Sequence, residues 1–313
     1  MKVTALAGGI GAGKFLRGLV RAVVPEDVTV IVNTGDDITM HGLHVAPDLD
    51  SVTYWLGDVF DRDRGWGRRD ETFRATEELR SFDPDQAWFN IGDLDLATHL
   101  FRTNLLAAGR TLSEATAAIA ARFGVGAALL PMSDDPVATR IAVVADGAEL
   151  DLHFQEYWVR RRGRDEVKAI GYEGADRASP APGVLDAIAS ADAIVLCPSN
   201  PVASIGPILA VPGIRDALAA RHSVAVGVSG IVAGAPLAGM ADRLMPAAGA
   251  EVSAAGAAAV YDGLLGAWVV DDADRALIPR IESMGVRAGA TDSIMTDDAK
   301  AEALARFALG LLA

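Results

Sequence analysis

The chain has 313 residues, 51% hydrophobic and 22% charged, with 28 basic against 42 acidic side chains and a formal net charge of −14. That apolar content excludes intrinsic disorder, the lone Cys197 excludes a disulfide scaffold, and the acidic balance opposes nonspecific nucleic-acid binding. No apolar run approaches the roughly 20 residues that span a bilayer, and the start MKVTALAGG lacks the layout of a signal peptide, so the expectation is a soluble, cytoplasmic protein.

In chain order, residues 2–7 form a short, mostly apolar run that suits a buried parallel strand, followed by Gly8, Gly9, Gly11 and Gly13. A helical stretch carrying Phe15, Leu16, Leu19 and Val20 stops before Pro25. A β-branched run over 28–32 then empties into Asn33-Thr34-Gly35-Asp36-Asp37. Strand, glycine loop, helix, strand is the opening of a nucleotide-type α/β fold. Helical periodicity marks 72–79, 96–107 and 112–122, and short strand candidates mark 141–144, 152–154 and 167–170. We read 70–170 as an inserted, mainly helical cap on a single domain spanning 1–313. Further strands are predicted at 193–196, 224–228 and 267–270, each ending in polar or turn-forming residues, with helices at 185–189 and 214–220 between them. The Ala/Gly-rich stretch 233–260 carries enough Met, Leu and Val to predict packed small-residue helices. The expected fold is a doubly wound, mostly parallel, Rossmann-like three-layer α/β domain.

Three groups of residues carry chemistry. Gly8 to Lys14 fits G-x-x-x-x-G-K, but Phe15 stands where a P-loop NTPase has the hydroxyl that holds Mg²⁺. Phosphate binding without standard ATPase or GTPase chemistry is the expectation. Residues 33–51 carry Asp36, Asp37, Asp48 and Asp50 with no basic residue among them. Such a cluster either shares a hard cation such as Mg²⁺ or is a solvated acidic loop with Asp48 as a helix N-cap; composition leaves both open. His41 and His44 have no third ligand nearby, which opposes zinc. Tyr54, Trp55, Trp66, Trp88 and Phe89 serve as core packing or as walls for a flat ligand, and Arg68, Arg69 and Arg102 as ordinary exposed cations or as neutralisers of an anion. Asp134 and Asp135 suit a turn before Pro136 as well as a metal. Residues 227–231 lack the register of a nucleophile elbow, and Cys197 has no nearby His.

The blocks N-T-G-D-D…P-D-L-D (33–50), G-D-L-D-L-A-T-H (92–99), L-P-M-S-D-D-P-V-A-T (130–139), H-F-Q-E-Y-W-V (153–159), P-S-N-P-V-A-S-I-G-P-I-L (198–209) and T-D-S-I-M (291–295) together resemble the 2-phospho-L-lactate transferase family of coenzyme F420 biosynthesis, whose actinobacterial branch is called phosphoenolpyruvate transferase. The resemblance implies transfer of a phospho-acid moiety, phosphoenolpyruvate or 2-phospho-L-lactate, from a guanosine diphosphate ester to the ribityl hydroxyl of the deazaflavin Fo. GMP leaves, Mg²⁺ is required, and the protein is expected to be a homodimer. By the same resemblance, Gly8, Gly9, Gly11, Gly13, Lys14, Asn33, Ser199 and Asn200 meet the guanylated donor. Asp37, Asp48 and Asp50 hold Mg²⁺, with Asp37 and Asp50 catalytic, Asp50 taking the proton of the acceptor hydroxyl or orienting it. Asp50, Asn90, Asp93 and Thr98 lie along the deazaflavin, bound by the 70–170 region. Leu94 stands where the family commonly has Arg, which removes a cation from that side. The alternative is a nucleotide-sugar-binding regulator of the YvcK-like type, disfavoured because Asp36-Asp37-Ile38-Thr39 follows the transferase pattern.

Overall fold

The computed structural model describes residues 1–85 and 88–313. Seven strands form its central sheet: β1 (Val3–Ala7), β2 (Val28–Val32), β3 (Ala128–Pro131), β4 (Ala193–Leu196), β5 (Ala225–Val228), β6 (Ala267–Asp271) and β7 (Arg287–Thr291). All pair in parallel, in the order β7-β6-β5-β4-β1-β2-β3. The chain therefore winds outward from β1 in one direction through β2 and β3, then restarts at β4 and winds the other way. This is the doubly wound α/β fold expected from the sequence, and its topological switch point lies between β1 and β4, where Val3 pairs with both Val28 and Ala193.

Strand alternation divides the core into two layers. Val3, Ala5 and Ala7 of β1 pack on one face with Phe15, Leu16 and Leu19 of helix α1 (Gly9–Ala22), with Leu49 and Val52 of α2 (Pro47–Leu56), and with Leu304 and Ala308 of the terminal helix Asp298–Gly310. Leu6 points to the opposite face, with Ile194, Leu196 and Trp268, against the helices Val184–Ser190 and Ile214–Ala219. Because helices cover both faces, the strands read as continuous apolar runs rather than alternating ones.

The 70–170 region divides differently from the expectation of one cap. Helices α3 (Arg74–Phe82), α4 (Asp93–Ala107) and α5 (Leu112–Arg122) lead into β3, which belongs to the central sheet beside β2. A three-stranded antiparallel sheet follows, with Ala138–Ala145 between Ala148–His153 and Glu166–Glu173. What lies outside the main sheet is thus mainly helical, as expected, with an antiparallel sheet added after β3. Segment 233–260 contributes part of a small hairpin, Ile231–Val232 with Ala235–Pro236, and the helices Ala241–Ala247 and Ala254–Val260. Among the described residues no helix is long and apolar enough to cross a membrane.

Helix α1 and the terminal helix touch at Gly18, where an added Cβ would collide with the Ala301 carbonyl group and the Glu302 amide. Backbone cannot give way as a side-chain tip can. Gly18→Ala is expected to destabilise the fold by about 1–3 kcal/mol despite its better helix propensity, measured by urea unfolding.

Candidate active site

Strand β1 ends at Ala7, and Gly8 turns the chain directly into α1, whose first residue Gly9 has φ +75°. At the switch point the Gly8 amide donates to Ser199 Oγ (3.3 Å), and the Ser199 hydroxyl donates back to the Gly8 carbonyl (2.9 Å). A Cβ on Gly8 would overlap Asp48 Oδ2 and Ser204 Cβ, so glycine is what admits the Asp48 carboxylate to the start of α1. There it accepts from the Gly9 amide, at the positive end of the helix. Gly11 and Gly13 lie inside the helix, their missing side chains making room for the Pro198 carbonyl and the Trp55 indole. Lys14 lines a small cavity of about 120 Å³ with Trp55, Arg62 and residues 295–298. Asn200 uses its Oδ1 to accept from the amides of Val202 (2.9 Å) and Ala203 (3.0 Å), fixing the turn that follows β4.

The aspartates, which the sequence presents as one loop, sit on two elements separated by a hairpin. Asp36 and Asp37 occupy the turn after β2. A hairpin of Ile38–Met40 and Leu43–Val45 follows, its tip formed by His41 (φ +51°) and Gly42 (φ +76°), the left-handed pair of a type I′ turn. Asp48 and Asp50 lie in the first turn of α2 behind Pro47; Ala46, not Asp48, is the N-cap.

Asn33 joins the groups. Its Oδ1 accepts from the Gly35 amide (2.8 Å), while Nδ2 donates to Asp36 Oδ1 (3.0 Å), Asp48 Oδ2 (2.9 Å) and the Ala203 carbonyl (3.3 Å). Gln155 Nε2 donates to the other Asp36 oxygen at 3.0 Å. Asp37 Oδ2 is 2.9 Å from His44 Nε2, which the hairpin presents, but Asp37 Oδ1 is buried without a partner. Burial, reinforced by Asp48 and Asp37, pushes Asp36 well above the ordinary carboxylate range. Burial raises Asp37 too, against the pull of His44. Asp48 is pushed up to about 7, mainly by burial and partly by Asp37, with Asn33 and the Gly9 amide opposing. Here three buried carboxylates face one another short of positive charge.

Asp50 is different, and with it the expectation that none of the four is compensated. Both its oxygens meet the Arg102 guanidinium of α4, through Nη1 at 3.1 Å and through Nη2, in a fork that is almost wholly buried. His99 Nδ1 stands 3.5 Å from Asp50, and His99 Nε2 stands 3.6 Å from Asp95, which accepts from the Tyr54 hydroxyl at 2.6 Å. Burial alone would raise Asp95, but His99, the Tyr54 hydroxyl and Arg102 outweigh it and hold the carboxyl below its usual value. Arg102 is thus a core residue rather than an exposed cation. Its spacing with Asp95 and His99, four and then three residues, puts all three on one face of α4 and was the available signal. His44 and Gln155 had no such local mark.

The residues expected along the deazaflavin are scattered in role. Thr98 is buried beside Tyr54. Asp93 accepts from the Thr72 hydroxyl and from the amides of Arg74 (3.3 Å) and Ala75 (3.0 Å), tying α4 to the start of α3. Asn90 is exposed and accepts from Arg80. Tyr54 and Trp55 are buried, Trp55 stacked on Phe60 (4.6 Å between centroids), which is core packing; Trp66 is partly exposed. Asp134 accepts from the Ser113 amide and hydroxyl (2.7 and 2.8 Å) at the start of α5, and Asp135 from the Ser179 amide (2.8 Å), so both tie this turn to neighbouring segments.

A doubly wound parallel sheet with buried carboxylates gathered beside its topological switch point places the protein in the α/β class whose ligands bind at the carboxyl ends of the strands. Residues 3–305 match the family described as 2-phospho-L-lactate transferase CofD, and the chain belongs to that family. It is 52% identical to the phosphoenolpyruvate transferase of Streptomyces griseus, over 99% of this chain and 98% of that one. Identity is 50% to the protein of that name from Streptomyces coelicolor and 42% to that from Mycolicibacterium smegmatis, both over 99% of this chain and 98% of theirs. A crystal structure of a UPF0052 family member from Bacillus halodurans has the same fold, with a TM-score of 0.61 at 17% identity over 98% of each chain. The protein is a transferase.

Two outcomes follow from the electrostatics. Arg102→Met leaves Asp50 buried and unpaired and is expected to cost about 3–5 kcal/mol, whereas Asp50→Leu/Arg102→Met recovers part of the loss; urea unfolding of the cycle measures both. Asp48 binds its proton more tightly folded than unfolded, so its contribution declines as pH rises from 3.8 through about 7. The melting temperature is expected to fall across that window and to fall less in Asp48→Asn.

Proposed function

We propose that the protein moves a phospho-acid moiety, phosphoenolpyruvate or 2-phospho-L-lactate, from a guanosine diphosphate ester onto the ribityl hydroxyl of Fo in coenzyme F420 biosynthesis, releasing GMP. Membership of the family and the phosphoenolpyruvate transferase name its relatives carry support the transferred group. The observation that carries the site is the buried Oδ1 of Asp37, without a hydrogen-bond partner among the described residues, beside Asp36 and Asp48, three carboxylates whose proton affinity is raised by burial and by one another. All-oxygen donors in a site with excess negative charge fit Mg²⁺. Asp37 and Asp48 are the residues that would hold it; the ion would neutralise charge on the diphosphate, the main demand of phosphoryl transfer.

The chain's own residues do the rest. Asn33 and Gln155 fix the carboxylates so that little reorganisation is needed when substrate arrives. Asp50, held by Arg102, retains free lone pairs with which to accept from the acceptor hydroxyl. From that fixed position Asp50 would orient the hydroxyl and receive its proton as the new O–P bond forms and GMP leaves. The Gly8–Ser199 contact sets the crevice at which donor phosphates would meet the start of α1.

The test exploits a conflict between stability and activity. Asp37→Asn removes a costly buried charge, so it is expected to keep or raise the melting temperature without Mg²⁺ while lowering turnover at least about 100-fold. Incubation with Fo, the guanylated phospho-acid and Mg²⁺, followed by mass detection of the Fo phosphodiester, reads the activity. An Asp37→Asn variant with full turnover would remove the metal assignment.

A further inference from the structure

In a chain of net charge −14, Arg160, Arg161, Arg162 and Arg164 fall within five residues. With Asp165 they line a concavity of about 600 Å³. Arg161 pairs with Asp165 (Nη2 to Oδ1, 2.8 Å) and Arg160 approaches Glu156 at 3.7 Å. Neither Arg162 nor Arg164 has a carboxylate within 4.0 Å among the described residues, so two guanidinium charges are left unbalanced.

The loop is held in shape from within. Buried Tyr157 places its hydroxyl 3.3 Å from the carbonyls of Gly163 and Asp165, and the Gly163 amide donates to the Tyr157 carbonyl at 2.9 Å. Arg162 and Gly163 both have φ +58°, a conformation that costs Arg162 energy and that the surrounding bonds impose. Where arginines serve only solubility, they spread over convex surface and remain mobile. Here four repelling side chains are rooted on a fixed backbone around one hollow.

We propose that the 160–164 loop is a binding site for a small anion carrying two or more adjacent phosphates, either free pyrophosphate or the diphosphate of a nucleotide. Guanidinium forks take phosphate oxygens two at a time, and the hollow lies in the range of about 300–1,000 Å³ usual for small-molecule sites, roomier than one phosphate needs. The chain leaves the carboxylate crevice at Gln155, and the loop's own contacts are with Tyr157 and with Met240, whose Cε lies 2.7 Å from where a Gly163 Cβ would be.

Calorimetric titration of the full chain without divalent cations tests this, using inorganic pyrophosphate, ADP and sulfate in separate runs. Saturable binding of pyrophosphate or ADP is expected, at least about tenfold tighter than sulfate. Arg162→Glu/Arg164→Glu should weaken it by about tenfold or more, Arg162→Lys/Arg164→Lys less, and Arg215→Glu, on the exposed side of the helix Ile214–Ala219, not at all. Tighter ADP than pyrophosphate assigns the site to a nucleotide, the reverse to free pyrophosphate. Affinity unchanged in both loop variants, loss in Arg215→Glu alone, or sulfate binding as tightly as pyrophosphate would overturn the proposal.

Discussion

The structure turns on a shortage of positive charge at the carboxyl end of β2. One side-chain amide, Asn33 Nδ2, has two hydrogens and lies within reach of two carboxylates and a carbonyl. It cannot satisfy all of them fully, and among the described residues nothing cationic is paired with Asp36 or Asp48. Much of the local architecture brings these acids together in spite of their repulsion. Gly8 has no side chain to keep Asp48 away, and Pro47 starts α2 so that Asp48 and Asp50 occupy its first turn, where the helix dipole favours them. The I′ hairpin brings His44 to only one oxygen of Asp37. Gathering buried carboxylates while leaving one oxygen without a partner among the described residues costs stability, and that cost supports the proposed site.

Asp50 and Arg102 show what the alternative looks like. That carboxylate is neutralised inside the protein by a residue 52 positions away, with His99, Asp95 and Tyr54 extending the network. Placed side by side, the two arrangements divide the acids by job. Asp50 has its counter-charge built in and is therefore positioned regardless of what binds. Asp36 and Asp48 have only amide donors, and Asp37 has His44 at one oxygen. The net charge of −14 is thus only partly ordinary surface acidity; a small, buried share of it is concentrated at the switch point.

Legibility in the sequence followed the range of the forces involved. Strand β4 and helix α5 are visible residue for residue, because β-branched runs and 3.6-residue periodicity are local patterns. The crevice at the switch point follows from strand–loop–helix order and is legible too. Strand β3, with the sequence Ala-Leu-Leu-Pro, is too short to declare which sheet it joins, and β7, Arg-Ala-Gly-Ala-Thr, has too little apolar character to declare itself at all. The Asp50–Arg102 fork is a tertiary fact with no local trace on the aspartate side. Among the blocks that carry the family resemblance, Asp36, Asp37 and Asp48 do converge in space, while Asp93, Asp134 and Asp135 turn out to secure helix starts and turns.

The glycine run is the clearest case of a motif whose letters and geometry part. G-x-x-x-x-G-K suggests a long loop wrapped around phosphates, yet the helix begins at Gly9, leaving Gly8 alone as the turn. Gly11 and Gly13 are needed for contact with Pro198 and Trp55, and Lys14 faces a cavity toward the terminal helix. Without a loop, a single helix end is the anion-attracting feature that remains, and a carboxylate, Asp48, already stands against it. A phosphate approaching that end would meet like charge unless a cation comes with it or Asp48 carries a proton. Burial has placed the proton affinity of Asp48 near neutrality, so the cost of satisfying either condition is small. The missing P-loop hydroxyl at Phe15 is compatible with the proposed site: a metal held by Asp37 and Asp48 would need no side-chain ligand from α1.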